Sequence, residues 1–319
     1  MRLPRPRGDL SAQLIDALAS GTPETPALAA GGIGDPSTDD VQLALWILYE
    51  QHYRGFEDVD PSLEWSPDLL RLRRTLETPF EAWICDLTAT TVKEATEEGD
   101  DVVAQLEHLT RDQSGALARH LHREATAEQY RDFLVQRSIY HLKESDPHAW
   151  ALPRLDGPAK VALAELQYDE YGDGVSARLH SRLFADALEG AGLDPSYGAY
   201  VDRASAPTLV ANNAMSLFGL HRRLRGAAMG HLAAFEMTSS LPCRRYVQGA
   251  ERLGLDERVV RYFDEHVEAD AVHEQLAARA ICGSMVEAEP DLHDDVLLGA
   301  AACLVLEGLA GDRLLEEWR

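Results

Sequence analysis

The sequence predicts an all-α fold, and three observations support that assignment. Of the 319 residues 45% are hydrophobic. The sequence is rich in Ala, Leu, Glu and Arg, which are common in helices. Alternating runs of Val, Ile and Thr, which are typical of half-buried strands, are few. Residues 256–281 instead place their apolar side chains on one stripe of a helix. A chain of this length can bury a real core, in one large domain or two smaller ones.

Predicted helices follow one another along the chain, separated by Gly, Pro and Asp. Residues 1–36 contain one short helix and a Gly- and Pro-rich arm, which we expect to be mobile or to lie over the body. Ser37 with Asp40, and Thr126 with Gln129, resemble capping boxes that open helices. The remaining predicted helices are 41–53, 68–95, 100–121, 127–144, 159–170, a segment around His180, two helices between 207 and 240, 256–281 and 294–309.

Composition excludes several classes of protein. Lys and Arg number 30 against 54 Asp and Glu, a formal charge of -24, so neither nucleic acid nor an anionic membrane is an expected partner. The acidic residues are expected to form a solvated surface. The N-terminal arginines precede no apolar segment of signal-peptide length, and the apolar run 296–305 is too short to span a bilayer. We therefore expect a cytoplasmic protein.

Cysteine spacing argues against a zinc ribbon or an iron–sulfur site. Cys85, Cys243, Cys282 and Cys303 are far apart in sequence and form no Cys-x2-Cys pair. We expect buried thiols in a reducing compartment.

The helix predicted over 256–281 carries polar residues where it should be apolar. His266, Asp270 and His273 share one stripe with Val259 and Phe263. Burial of two imidazoles and a carboxylate costs several kcal/mol unless they are paired or bind a metal. All three are good ligands for a divalent ion. A hydrogen-bonded cluster that only holds helices together is the structural alternative.

Other polar residues also interrupt apolar patterns. Glu144 lies in a last helical turn, where the helix dipole disfavours a carboxylate, and this suggests a compensating positive charge, for which Lys143 is one explanation. Glu236 lies in an apolar run. Glu170 and His180 would be about 15 Å apart on an unbroken helix. The glycines at 172 and 174 permit a break that would bring them together.

These residues form a mixed set of carboxylates and imidazoles that suits iron or manganese better than zinc or calcium. The chain has no paired Glu-x2-His motifs of a ferritin-like bundle and no His-Glu-x2-His of a zinc protease. Serine nucleophile elbows, P-loops and the Rossmann glycine fingerprint are also missing from the sequence.

The segments KESDPHAW, LQYDEYGDG and HVEADAVH, in this order, resemble the haem-oxygenase-like di-iron oxidases and oxygenases, or iron-containing redox enzymes. The resemblance covers roughly 126–281. It implies a haem-oxygenase-like bundle of about seven core helices with extra N-terminal helices, binding two irons in place of haem. The ligands that it implies are Glu144, Glu170, His180, His266, Asp270 and His273, with Glu236 as an outer-sphere or conditional ligand.

The resemblance also implies a function and a domain organisation. Two ferrous ions and O2 would oxidise a small, amino-acid-derived metabolite, with amine N-oxygenation favoured and desaturation or oxidative C–C cleavage as alternatives. The sequence has no flavin or iron–sulfur signature, so turnover is expected to need an external reductant from an unidentified electron donor, or a substrate that is itself oxidised. Residues 1–36 would form an arm, and 37–319 a helical domain whose accessory region 37–122 supports a homodimer. A non-catalytic scaffold or metal-binding protein is the alternative of another class.

Overall fold

The computed structural model describes residues 1–21, 34–111 and 115–319, apart from the side chains of 268–272. Within these ranges the regular structure is helical without strands, which confirms the all-α prediction. A π-helical segment, Leu276–Gly283, directly follows the α-helix that ends at Gln275. The α-helices are α1 Asp9–Ser20, α2 Asp39–Glu50, α3 Pro67–Thr96, α4 Val102–Thr110, α5 Ala116–Arg123, α6 Ala127–His141, α7 Asp146–Ala149, α8 Gly157–Glu170, α9 His180–Gly190, α10 Ala206–Leu220, α11 Arg225–Leu253, α12 Glu257–Gln275, α13 Ser284–Ala288 and α14 His293–Glu317.

Helix α11 is the central element, because it packs along both α12 and α14. Its first turns consist mainly of small residues and are buried on every side. At Gly230 a side chain would overlap the backbone of Val296, and at Gly299 it would overlap the backbone of Ala227. Only glycine therefore allows α11 and α14 to approach this closely.

The N-terminal segment lies against the helical body. The backbone N–H groups of Leu10 and Ser11 donate to the carboxylate of Asp40 at 2.9 and 2.8 Å. Arg5 pairs with Asp202. The capping box predicted at Ser37 and Asp40 is therefore wrong, because Asp40 caps α1 instead of its own helix. The Gly- and Pro-rich residues predicted to form the arm lie largely outside the described residues.

Helix α6 begins as the sequence predicts and ends earlier. Thr126 accepts a hydrogen bond from the backbone of Gln129 and the Gln129 side chain accepts one in return, which confirms that capping box. The helix ends at His141, and Ser145 adopts a positive φ of 69°. Glu144 therefore lies in a tight turn between α6 and α7. The single helix predicted over 100–121 is wrong, because α4 ends at Thr110 and α5 begins at Ala116.

The chain breaks between α8 and α9, as the glycines indicated. Gly172, Asp173 and Gly174 have φ values of 75°, 54° and 76°. A Cβ atom on Gly172 would lie 2.6 Å from the backbone of Arg178 and Leu179, so the loop closes tightly on itself. This return places the start of α9 beside the end of α8.

Two further expectations concern the cysteines and membranes. Cys243, Cys282 and Cys303 are buried, whereas Cys85 is exposed, so the expectation of buried thiols is wrong for Cys85. Among the described helices, none has the length and apolar character needed to cross a bilayer.

We expect Gly299→Ala to destabilise the fold by about 1–3 kcal/mol, because the new methyl group forces α14 away from α11. Gly308→Ala, on the same helix, is the matched control. Its Cβ meets no heavy atom within 4 Å. It should be neutral or stabilising by up to about 1 kcal/mol, from helix propensity alone. Urea unfolding of both variants measures the difference, and equal effects would contradict the close helix contact.

Candidate metal centre

Glu144, His180 and His266 form the first of two buried clusters, which we call the first trio. One ligand-type atom from each lies within 4.8 Å of the others. The carboxylate comes from the turn after α6, and the imidazoles come from the first residue of α9 and from α12. His266 donates through Nδ1 to the backbone oxygen of Tyr262 at 2.7 Å. Its Nε2 therefore faces the Glu144 carboxylate at 3.4 Å, the orientation typical of metal-bound histidine.

Glu170, Glu236 and His273 form the second trio, again with ligand-type atoms within 4.8 Å of one another. His273 Nδ1 lies 3.2 Å from Glu236 Oε2 and 3.6 Å from Glu170 Oε1. Its Nε2 lies 2.6 Å from the carboxylate of Asp169, which fixes the ring as carboxylates do behind metal-binding histidines. Both nitrogens of this ring are thus held by acidic side chains.

Glu170 joins the two trios. Its Oε2 lies 3.3 Å from His180 Nδ1 in the first trio, and its Oε1 faces His273 in the second. The break at Gly172 makes this contact possible, because an unbroken helix would hold Glu170 and His180 about 15 Å apart. Glu170 thus presents one carboxylate oxygen to a histidine of each trio.

The clusters are compatible with metal binding. His180 Nδ1 and His266 Nε2 are buried without a hydrogen-bond partner, which is uncommon for polar atoms in a protein core. Both atoms point to the carboxylates beside them. The donor set of imidazole nitrogens and carboxylate oxygens fits iron or manganese.

Charges within the centre are strongly coupled. Burial alone would raise the pKa of Glu144, but the imidazoles of His141 and His266 hold it well below its usual range. Burial opposes protonation of His266, yet the Glu144 carboxylate raises the pKa of His266 to about 10. Burial is likewise outweighed at His273, where Glu236 raises the pKa to about 9. Burial raises the pKa of Glu236 itself, against the hydrogen bond from His273.

Six of the seven residues predicted from the sequence therefore lie in the two trios. They are Glu144, Glu170, His180, Glu236, His266 and His273. Asp270 lies on α12 between the two histidines, but its side chain is outside the described residues. The assignment of all seven residues as metal ligands stays a prediction.

Three supporting residues were not identified from the sequence. His141 Nδ1 lies 2.7 Å from Glu144 Oε1, and the Tyr262 hydroxyl donates to Glu144 Oε2 at 2.8 Å. Asp169 orients His273. A signal existed for Tyr262, which precedes His266 by four residues and so shares its helix face. His141 precedes Glu144 by three residues, but the turn that brings them together was not predicted.

Lys143 does not compensate Glu144. Its ammonium group pairs with Glu50 of α2 at 3.2 Å, and both side chains are almost completely buried. The Tyr197 hydroxyl donates to the same carboxylate at 2.7 Å. The Lys143 ammonium also lies 4.2 Å from the centre of the Tyr53 ring. The turn that carries Glu144 is thereby held against α2.

A cavity of about 200 Å³ adjoins the first trio. His141, Tyr262 and His266 line it beside the first trio, and its walls come from α5, α6, α11, α12 and α14. Gly308 and Asp312 lie at the exposed side. The volume is small beside typical ligand sites of roughly 300–1,000 Å³, so the cavity suits a small metabolite.

Comparison with known proteins relates the chain to a described family. The sequence model of a family described as iron-containing redox enzyme matches residues 131–308. Nitrosourea synthase of Streptomyces achromogenes subsp. streptozoticus is 30% identical over 161 residues, 50% of this chain and 34% of that enzyme. The chain thus spans about a third of the length of this curated relative.

Two crystal structures of a CADD-like protein of unknown function from Nostoc punctiforme PCC 73102 share the fold. Both have a TM-score of 0.51, at 16% and 18% identity. The similarity covers 74% and 72% of this chain, and 98% and 96% of the respective Nostoc chains. At these identities the similarity concerns the fold alone.

We expect the metal-free protein to lose stability as pH rises from about 7 to about 10. The folded pKa values of His266 and His273, about 10 and about 9, exceed the usual value of 6.5. Protonated imidazoles therefore stabilise the fold fully below about pH 6.5, and this contribution disappears as pH rises through the folded values. Thermal unfolding across this range measures the effect. His266→Gln should weaken the dependence, and an unchanged dependence in this variant would refute the assignment.

Lys143→Met should destabilise the protein by about 3–5 kcal/mol, because it leaves the buried Glu50 carboxylate without its ammonium partner. Combining it with Glu50→Gln should recover part of the loss, since no buried charge then remains unpaired. Lys160→Met, at an exposed position of α8, is the control and should change stability by no more than about 0.5 kcal/mol. Urea unfolding compares the variants, and additive effects of the two core substitutions would contradict the pairing.

Proposed function

The chain belongs to the family of iron-containing redox enzymes, with its haem-oxygenase-like helical fold, and from this premise we propose that it is an O2-dependent di-iron enzyme. Its substrate would be a small, amino-acid-derived metabolite, and the favoured reaction is oxygenation of an amine nitrogen. The observation that carries the proposal is the meeting of six buried ligand-type side chains in two trios joined by Glu170.

Each trio would hold one iron ion, with Glu170 placed to contact both and Asp270 as a further ligand. When bound, two ferrous ions supply two electrons for the reduction of O2, which neither a side chain nor a closed-shell metal can provide. Tyr262 and His141 hold the Glu144 carboxylate, and Asp169 holds the ring of His273. These contacts fix the ligands before any substrate arrives, as preorganised sites require.

The favoured reaction is supported by the similarity to nitrosourea synthase, whose name describes a product with oxidised nitrogen. Desaturation and oxidative C–C cleavage by the same centre are the alternatives, because the ligand set is common to all three reactions. The proposal has three further parts. An electron donor supplies an external reductant, and the protein is located in the cytoplasm. Residues 37–122 form the contact of a homodimer.

Anaerobic loading with Fe(II) tests the centre directly. The protein should bind about two irons per chain, as two separate sets of three ligands imply. Mixing with O2 should then produce a transient visible absorption and consume O2. His266→Ala and Glu170→Ala should reduce iron content, and Glu170→Ala should affect both ions because its carboxylate lies between the trios.

His122→Ala is the matched control, since this half-exposed histidine on α5 lies outside both trios. It should leave iron content and O2 consumption unchanged. The proposal fails if His266→Ala retains both. A purified protein that binds iron but never consumes O2 would favour the non-catalytic alternative.

A further inference from the structure

The cavity beside the first trio has an uneven distribution of charge. Most of its lining is apolar, from residues such as Phe235, Tyr246 and Leu304. Among the described lining residues are also the guanidinium of Arg137 and two carboxylates, Glu307 and Asp312, besides the imidazoles at the side of the first trio. Apolar pockets with a few placed polar groups are typical sites for small ligands, because the polar groups fix the orientation of what enters.

Arg137 and Glu307 form an ion pair on this wall. The Arg137 Nη1 donates to Glu307 Oε2 at 2.6 Å, and the two side chains are 24% and 28% exposed. The pair links α6 to α14. Neither side chain is sealed in the core, so both are reachable from the cavity that they line.

The pair lies close to the metal centre. Arg137 precedes His141 by four residues on α6, a rise of about 6 Å along the helix. His141 in turn contacts Glu144 of the first trio. A ligand held at Arg137 would therefore need only a short chain to bring its other end to His266, the residue of the first trio that lines the cavity.

The chemistry of the pair leaves capacity for a ligand. A guanidinium carries five N–H donors in a planar fork, and Glu307 and Tyr246 engage only part of it. The carboxylate of Glu307 offers a second oxygen besides the one that Arg137 contacts. A head group with one ammonium and one carboxylate can satisfy both partners without breaking their mutual contact.

We propose that Arg137 and Glu307 recognise a zwitterionic head group and direct the opposite end of the substrate towards His266 of the first trio. The two residues determine specificity and take no part in the oxidation. A ligand with a carboxylate alone meets repulsion from Glu307 and Asp312, and a ligand with an ammonium alone meets repulsion from Arg137. The inference rests on the proposed function only for the orientation of the reacting end.

Three small molecules with matched carbon chains test the inference. L-Norleucine carries both charges, hexanoate lacks the ammonium group, and pentylamine lacks the carboxylate. Binding to the 319-residue chain is measured by ligand-observed NMR titration, with and without anaerobically loaded Fe(II). L-Norleucine should bind about tenfold more tightly than hexanoate or pentylamine, because it gains one more charged hydrogen bond than either of them.

Variants separate recognition from a merely structural ion pair. Glu307→Gln should weaken norleucine binding about tenfold while improving hexanoate binding, because the repulsive carboxylate is removed. Arg137→Met with Glu307→Met replaces the pair by apolar side chains, leaves no unpaired charge and should abolish the preference for the zwitterion. Glu81→Gln breaks the ion pair with Arg223 outside the cavity and should leave all three affinities unchanged.

The possible results either support or overturn the inference. Equal binding of the three molecules, no binding of norleucine, or an unchanged ranking in Glu307→Gln would overturn it. Iron binding and O2 consumption are measured separately on the same preparations. If they persist while the ligand ranking fails, the inference is wrong and the proposed function stands. If iron fails to bind, the metal-free titrations still decide whether the pair recognises a zwitterion.

Discussion

The structure depends on the balance of charge that the buried carboxylates of the two trios require. Glu144, Glu170 and Glu236 are almost completely removed from solvent, and each would be costly there alone. Imidazoles of α9 and α12 face all three, so each helix or turn that supplies a carboxylate must dock against a helix that supplies a histidine. Helix positions around the centre are thus set by electrostatics as well as by apolar packing. A metal ion would replace protons as the partner of these carboxylates.

Much of the site was predictable because its residues conflict with their local patterns. His266 and His273 stand out on the apolar stripe of α12, and Gly172 and Gly174 indicate the break that brings His180 back to Glu170. A periodic pattern exposes a polar residue in the wrong place whatever the neighbouring helices do. The all-α class follows from the same periodicity.

The supporting contacts were less predictable, for physical reasons. His141 reaches Glu144 only because α6 ends early and Ser145 turns with a positive φ, and cap geometry of this kind has no strong sequence signal. Lys143 looked like the partner of its neighbour Glu144, yet it pairs with Glu50, 93 residues earlier in the chain. Asp40 appeared to cap its own helix and caps α1 instead. Partners that are distant in sequence are specified by tertiary packing, which a single sequence does not display.

The contact between α11 and α14 at Gly230 and Gly299 also bears on the size of the cavity beside the first trio. Both helices continue from that contact along the walls of the cavity, which they line through Phe235, Tyr246 and Glu307. The close approach at the glycines lies only about one to four turns from these wall residues, so we expect the spacing of the two backbones there to influence the width of the cavity. A larger residue at either glycine would widen the chamber without altering any side chain that a ligand touches. A substitution at these glycines could therefore let the cavity accept a bulkier ligand, provided that the fold tolerates the lost packing between α11 and α14.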